Sequence, residues 1–306
     1  MKIVSLLPSA TEIVCSLGLE KSLVAVTHEC DFPDDISHLP VITASRISHE
    51  TMTSSEIDHA VRSQLDGHGS IYDLDTKLLE ELKPDLILTQ ELCDVCAVSY
   101  KQVEQAAKMY VADSTVVSLE PKTIDDIFAS MLTVGKLAGA DEDAVRAVND
   151  LRGRLEKVRA KTFSIPNRPK IFMLEWLEPP FAPGHWVPEQ VEIAGGGCLL
   201  GEAGQRSVTT TYSAIRESKP DVLVLVPCGY YISDTLRQLE NTTFPAVWKD
   251  IPAIKNGQVW AVDATSYFSR PGPRVVDGVE ILSKIFHPEV FGIPSEPEAV
   301  RVPAIC

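Results

Sequence analysis

DEDAVRAVNDLRGRLEKVRAKTF, residues Asp141–Phe163, reads as one uninterrupted helix, and the reading of the whole chain follows from it. Ala144, Val148, Leu151, Leu155 and Val158 recur at intervals of four, three, four and three, which draws a single apolar stripe down a helix. Arg146, Asp150, Arg152, Arg154, Glu156, Lys157 and Arg159 cover the remaining surface. A helix of that length reaches roughly 30 Å, about the diameter of a small domain.

The sequence on either side of this helix repeats itself. Glu81-Leu82-Lys83-Pro84-Asp85 runs into Leu86-Ile87-Leu88, and Glu217-Ser218-Lys219-Pro220-Asp221 runs into Val222-Leu223-Val224-Leu225. Each reads as helix end, Pro-Asp turn and buried strand, with a loop beyond the strand's carboxyl end. The halves also open alike, with apolar strands at Lys2–Leu7 and Lys170–Leu174. The expected fold is therefore α/β: two lobes with mostly parallel sheets joined by one long helix. The boundaries are an N-terminal lobe at 1–139, the connecting helix at 140–163, a C-terminal lobe at 164–288, and a proline-dotted surface tail at 289–306.

Composition narrows the function. With 306 residues and 44% hydrophobic content, both lobes have material for real cores. A net charge of −15 argues against nucleic acid or an anionic membrane as partner. No apolar run approaches the roughly 20 residues needed to span a bilayer. The first strand begins at Lys2, which leaves no room for a signal peptide, so the expectation is a cytoplasmic monomer. A trimmed precursor would instead be periplasmic. Seven cysteines, an odd number, fit reduced thiols better than a disulfide framework.

Local signals place the other elements. Ser9 with Glu12, and Thr53 with Glu56, have the spacing of capping boxes. Gly18 and Gly139 close helices, Pro188 and Pro273 open them, and strands are expected at 22–27, 85–89, 115–119, 221–226 and 258–262.

In open α/β sheets ligands sit beyond the carboxyl ends of the strands. The loops expected there hold Trp176, Phe181 and Trp186, then Tyr230-Tyr231, then Tyr267-Phe268. Aromatic walls with a few polar groups suit a large flat or bulky ligand, the alternative being that the rings pack the lobes together. His28-x-Cys30 and Cys93-x-x-Cys96 could make a tetrahedral Cys₃His site for zinc or iron, or Cys93 and Cys96 a redox pair. The plain alternative is a set of reduced thiols. His185 with Glu175 and Glu189 forms a further polar cluster, and His185 could approach a cofactor metal. Arg270 and Arg274 could grip an anion or cap a helix. GxSxG, HExxH and phosphate-loop signatures are absent, and Gly195–Gly201 misses the dinucleotide fingerprint.

Several motifs together resemble one family. Ser5-Leu6-Leu7-Pro8-Ser9-Ala10-Thr11-Glu12 with Leu17-Gly18, Lys83-Pro84-Asp85-Leu86-Ile87, Ala194-Gly195-Gly196, Lys219-Pro220-Asp221 and Ser269-Arg270-Pro271-Gly272-Pro273-Arg274 are similar to the helical-backbone metal receptor superfamily. Within it the likeness is to the vitamin B12-binding proteins of ABC importers, over Lys2 to about Phe286. The resemblance implies a non-enzymatic substrate-binding protein that holds a metal chelate, cobalamin or another corrinoid, in a cleft between lobes and meets an ABC permease. By carry-over the ligand-binding residues would be Pro8, Ser9, His28, Glu91, Trp176, Phe181, His185, Trp186, Tyr230, Tyr267, Phe268 and Arg270. The HxC and CxxC cysteines and the missing export signal depart from that pattern. A bare-metal receptor and a cofactor-processing or thiol-redox enzyme are the alternatives they leave open.

Overall fold

A computed structural model describes residues 1–45, 51–66, 72–90 and 100–303. The chain divides into two compact units: Met1–Ser48, His59–Pro121 and Asp125–Asp150 form the first, and His49–Asp58, Lys122–Ile124 and Leu151–Cys306 the second. The division falls inside the long helix, between Asp150 and Leu151.

In chain order the first half runs β1 (Ile3–Ser5), α1 (Pro8–Ser16), β2 (Leu23–Ala25), β3 (Thr43–Ser45), α2 (Ser54–Asp66), β4 (Tyr72–Leu74), α3 (Thr76–Leu82), β5 (Leu86–Thr89), α4 (Tyr100–Tyr110), β6 (Thr115–Ser118) and α5 (Ile124–Ala138). Its main sheet has the order β2-β1-β5-β6, all parallel. Strands β3 and β4 pair antiparallel beside it. Val4, Leu6, Ala25, Ile87, Val103 and Leu79 meet in one buried cluster. The central strands β1 and β5 are fully buried because helices cover a parallel sheet, while the edge strand β6 is partly exposed.

The long helix, α6, spans Asp141–Phe163, the bounds read from the sequence. The whole predicted stripe is buried: Ala144 and Val148 in the first unit, Leu151, Leu155 and Val158 in the second. Gly135 of α5 lies so close to Ala144 that a Cβ there would stand 2.4 Å from the Ala144 methyl. In the second unit Arg154 reaches Asp277 and Glu280 Oε2, with Nε 2.9 Å from Glu280 Oε1.

The second half continues with β7 (Lys170–Leu174), β8 (Phe181–Ala182), α7 (Val187–Ile193), β9 (Gly197–Cys198), β10 (Val208–Thr209), α8 (Tyr212–Ser218), β11 (Val222–Leu225), α9 (Ile232–Asn241), α10 (Pro252–Lys255), β12 (Val259–Val262), α11 (Ala264–Tyr267), α12 (Val275–Phe286), α13 (Pro288–Phe291) and β13 (Ala299–Arg301). Its sheet has the order β13-β12-β11-β7-β9, parallel except for β13. Phe172, Leu174, Leu223, Leu225, Ala261 and Trp248 anchor its core.

The sequence repeat is a structural repeat. α3 and α8 both end at a lysine in the left-handed region, Lys83 at φ 49° and Lys219 at φ 51°. After the proline, each aspartate carboxylate accepts from the first backbone N–H of its unit's leading strand region: Asp85 from Lys2 N at 2.6 Å, Asp221 from Lys170 N at 2.9 Å. The adjacent strands then pair in parallel, β1 with β5 and β7 with β11.

Two expectations change. Ser9 is not a cap: Pro8 occupies the first turn of α1, Leu7 is its N-cap, and Ser9 and Glu12 are buried inside. The stretch 289–306, expected as a surface tail, carries α13 and then β13, which pairs antiparallel with β12 through Trp260 and Arg301. The Thr53–Glu56 capping box forms as read, with Thr53 N 2.8 Å from the Glu56 carboxylate. Among the described residues no helix is long and apolar enough to cross a membrane.

Candidate functional site

Strand β7 delivers Glu175 and Trp176 at its carboxyl end, as the residue order predicts. Glu175 is held by its backbone on both sides, its N–H donating to Phe181 O and its carbonyl accepting from Cys228 N. Its carboxyl accepts from Ser207 Oγ and, at 3.2 Å, from Gly184 N. Crowding by protein pushes this carboxyl up to about 8, against the two hydrogen bonds that favour the ionised form. The loop it fastens is tight: a Cβ at Gly184 would lie 2.3 Å from Ser207 N. His185 follows at φ 52°, pinned by its N–H to Gln205 O at 2.6 Å and its carbonyl to Gly204 N at 2.9 Å.

His185 Nε2 is shielded from solvent and makes no hydrogen bond. Burial, then Arg206 and Lys122, hold its pKa below the usual imidazole range, so the ring is neutral. A neutral imidazole with a free nitrogen is a competent metal donor. The predicted companion Glu189 is engaged elsewhere, accepting from Ile124 N at 2.7 Å.

The aromatic residues divide into two sets. Trp186 is 5% exposed with Nε1 on Phe268 O at 3.0 Å, Tyr230 is wholly buried, and Phe268 is buried as well. These three are part of the unit's packing. Trp176, Phe181, His185 and Tyr267 are half-exposed. Trp176 meets Tyr230 edge-on at 5.3 Å and donates from Nε1 to Ser54 O at 3.1 Å. Arg274 is the N-cap residue of α12 and lies over Tyr267 at 5.8 Å, while Arg270 is buried.

In the first unit, Pro8 and Ser9 are buried in the first turn of α1. The loop after β2 carries a polar network: His28 Nδ1 lies 2.7 Å from Thr43 Oγ1, which lies 2.7 Å from Thr27 Oγ1. Tyr72 donates to Glu29 at 3.2 Å, and Cys30 Sγ is 3.0 Å from Thr11 Oγ1. His28 Nε2 is shielded without a hydrogen bond, 3.7 Å from Glu29, and burial keeps the ring neutral. Glu91, Cys93 and Cys96 lie outside the described residues. Among the described residues no three His, Cys, Asp or Glu side chains converge on a metal position, and Cys15, Cys30, Cys198 and Cys228 form no disulfide. Burial pushes the Cys15 and Cys198 thiols up to about 12, which makes them poor nucleophiles. The Glu175–Ser207–Gly184 fastening was missed, because nothing in Ser207's surroundings in sequence points to a carboxyl thirty-two residues away.

Each unit is built on a mostly parallel sheet flanked by helices, and the division between the units falls within α6. The chain belongs to the periplasmic binding protein family, whose model matches residues 3–265. It is 26% identical over 283 residues to the vitamin B12-binding protein of Vibrio cholerae, covering 91% of this chain and 86% of that one. It is 24% identical over 298 residues to an uncharacterized ABC transporter substrate-binding lipoprotein of Bacillus subtilis, covering 95% and 81%. Among solved structures, a periplasmic heme-binding protein from Pseudomonas aeruginosa superposes with a TM-score of 0.73 at 18% identity, covering 98% and 99% of the two chains. The periplasmic vitamin B12-binding protein of Vibrio cholerae superposes with a TM-score of 0.65 at 23% identity, covering 93% and 96%. At those identities the superpositions establish the fold.

Proposed function

We propose that this protein binds a metal chelate of the corrinoid class without transforming it, and hands it to an ABC-type permease. The observation that carries this reading is the set of half-exposed rings Trp176, Phe181 and Tyr267 in the second unit, which also holds His185 with an Nε2 that makes no hydrogen bond. Rings give a flat macrocycle contact area at low entropic cost. The relatives named as vitamin B12-binding proteins point the same way.

Native mass spectrometry of reduced protein incubated with hydroxocobalamin tests it. A stoichiometric adduct of corrinoid mass is expected, and its loss in Trp176→Ala would tie the adduct to these loops. Absence of a corrinoid adduct would overturn the reading.

A second reading is favoured by His28, whose Nε2 makes no hydrogen bond and which lies two residues before Cys30 in the first unit. It is a receptor for bare zinc or iron through His28, Cys30, Cys93 and Cys96. A one-metal mass shift without corrinoid, abolished by replacing Cys93 and Cys96 with serine, would establish it instead.

A further inference from the structure

At the opposite end of the second unit's sheet, by the amino ends of β11 and β12, lies a cavity of about 560 Å³. That volume falls in the roughly 300–1,000 Å³ range of small-molecule sites. Its walls are apolar: Trp260, Ile285 and Phe286 are buried residues of the core, and Ile293 stands at the rim, 78% exposed.

The charges around it sum to zero, Asp221 and Glu298 against Lys284 and Arg301, but of these only Lys284 and Glu298 form an ion pair among the described residues. Lys284 Nζ is engaged by Glu298 Oε1 at 2.5 Å, and Asp221 accepts from Lys170 N. Arg301 lies over the Trp260 ring at 4.8 Å and forms no ion pair among the described residues. Pairing across the β12–β13 ladder fixes that stacked position, since Trp260 and Arg301 are register partners. A planar guanidinium stacked on an indole keeps its N–H edge free for a carboxylate fork.

We propose that this cavity binds a small amphipathic monocarboxylate of the medium-chain fatty acid type. The carboxylate pairs with Arg301 and the alkyl body lies against Trp260, Ile285 and Phe286. The site is separate from the strand-end loops and does not depend on the identity of any chelate bound there.

Isothermal titration of the full chain with octanoate tests it, with 1-octanol as the uncharged probe. One saturable octanoate site is expected, with octanol at least tenfold weaker. Arg301→Gln should weaken octanoate by roughly tenfold to a hundredfold, the range for a charge-assisted hydrogen bond, and leave octanol unchanged. Ile293→Asp, at an exposed rim position that leaves the core intact, should also weaken octanoate by placing a like charge at the mouth. No saturable binding, equal binding of octanol, or an unchanged affinity in Arg301→Gln would overturn the proposal.

Discussion

Ser207 Oγ donates to the carboxyl of Glu175 across thirty-two residues of sequence, and so closes the loop that carries Gly184 and His185 onto the end of β7. A carboxyl in that position is a determinant of pH behaviour. Its folded-state pKa of about 8 lies above the unfolded carboxylate value of about 4.3. Between those values the native state holds a proton that the unfolded chain has lost. The stabilisation is therefore full at acid pH and falls as pH rises to about 8. Glu175→Gln cannot ionise, so its unfolding midpoint should change less between pH 5 and pH 9 than that of the parent. Parallel denaturant titrations check this, and identical pH slopes would refute it.

Gly184 is required by close approach. An alanine methyl would meet the backbone of Gln205, Arg206 and Ser207 within 2.7 Å. Backbone cannot yield as a side chain can, so Gly184→Ala should cost about 1–3 kcal/mol. Thermal unfolding would register this as a drop of several degrees. The same substitution displaces an amide that favours the ionised Glu175, so it should push that carboxyl further up and carry the fall in stability to higher pH, away from the profile of Glu175→Gln.

Trp176 and Trp186 should separate binding from folding. Trp186 is buried and hydrogen-bonded to Phe268, so Trp186→Ala should cost about 3–5 kcal/mol of stability. Trp176 is half-exposed, and Trp176→Ala should weaken corrinoid binding with a smaller loss of stability. Paired melting curves and ligand titrations read the two effects apart.

Arg154 binds Asp277 and Glu280 of α12 from the second half of α6. The groups are about one-third exposed, so solvent screens them, and Arg154→Ala should cost only about 1 kcal/mol. Arg154→Lys should recover part of this, since an ammonium cannot span both carboxylates as a guanidinium does. High salt should narrow the gap between parent and variant.

Periodic features were legible in the sequence. The α6 stripe, the Thr53–Glu56 box and the Lys-Pro-Asp turns each depend on residues within a few positions of one another, where local geometry decides; the backbone groups that Asp85 and Asp221 hold are distant in sequence and were not legible. Ser9 misled because two cap signals overlap, and proline in the first turn set the N-cap two residues earlier, at Leu7. β13 was invisible, since three residues among prolines carry no period; its partner β12 defines it. The ring residues show the same limit at the site. Composition places Trp176, Trp186 and Tyr230 in strand-end loops, but only tertiary packing buries Trp186 and Tyr230 and leaves Trp176 half open.

The division of the chain inside α6 has a practical consequence for anyone who would cut it. A fragment beginning at Leu151 would lack Met52, Ser54 and Ile124. Gln238 Nε2, Trp176 Nε1 and the Glu189 carboxylate would each lose the backbone group they hold. It would also begin partway along a buried stripe. The two units are compact in space yet interleaved along the polypeptide, so half the coding sequence does not specify half the fold.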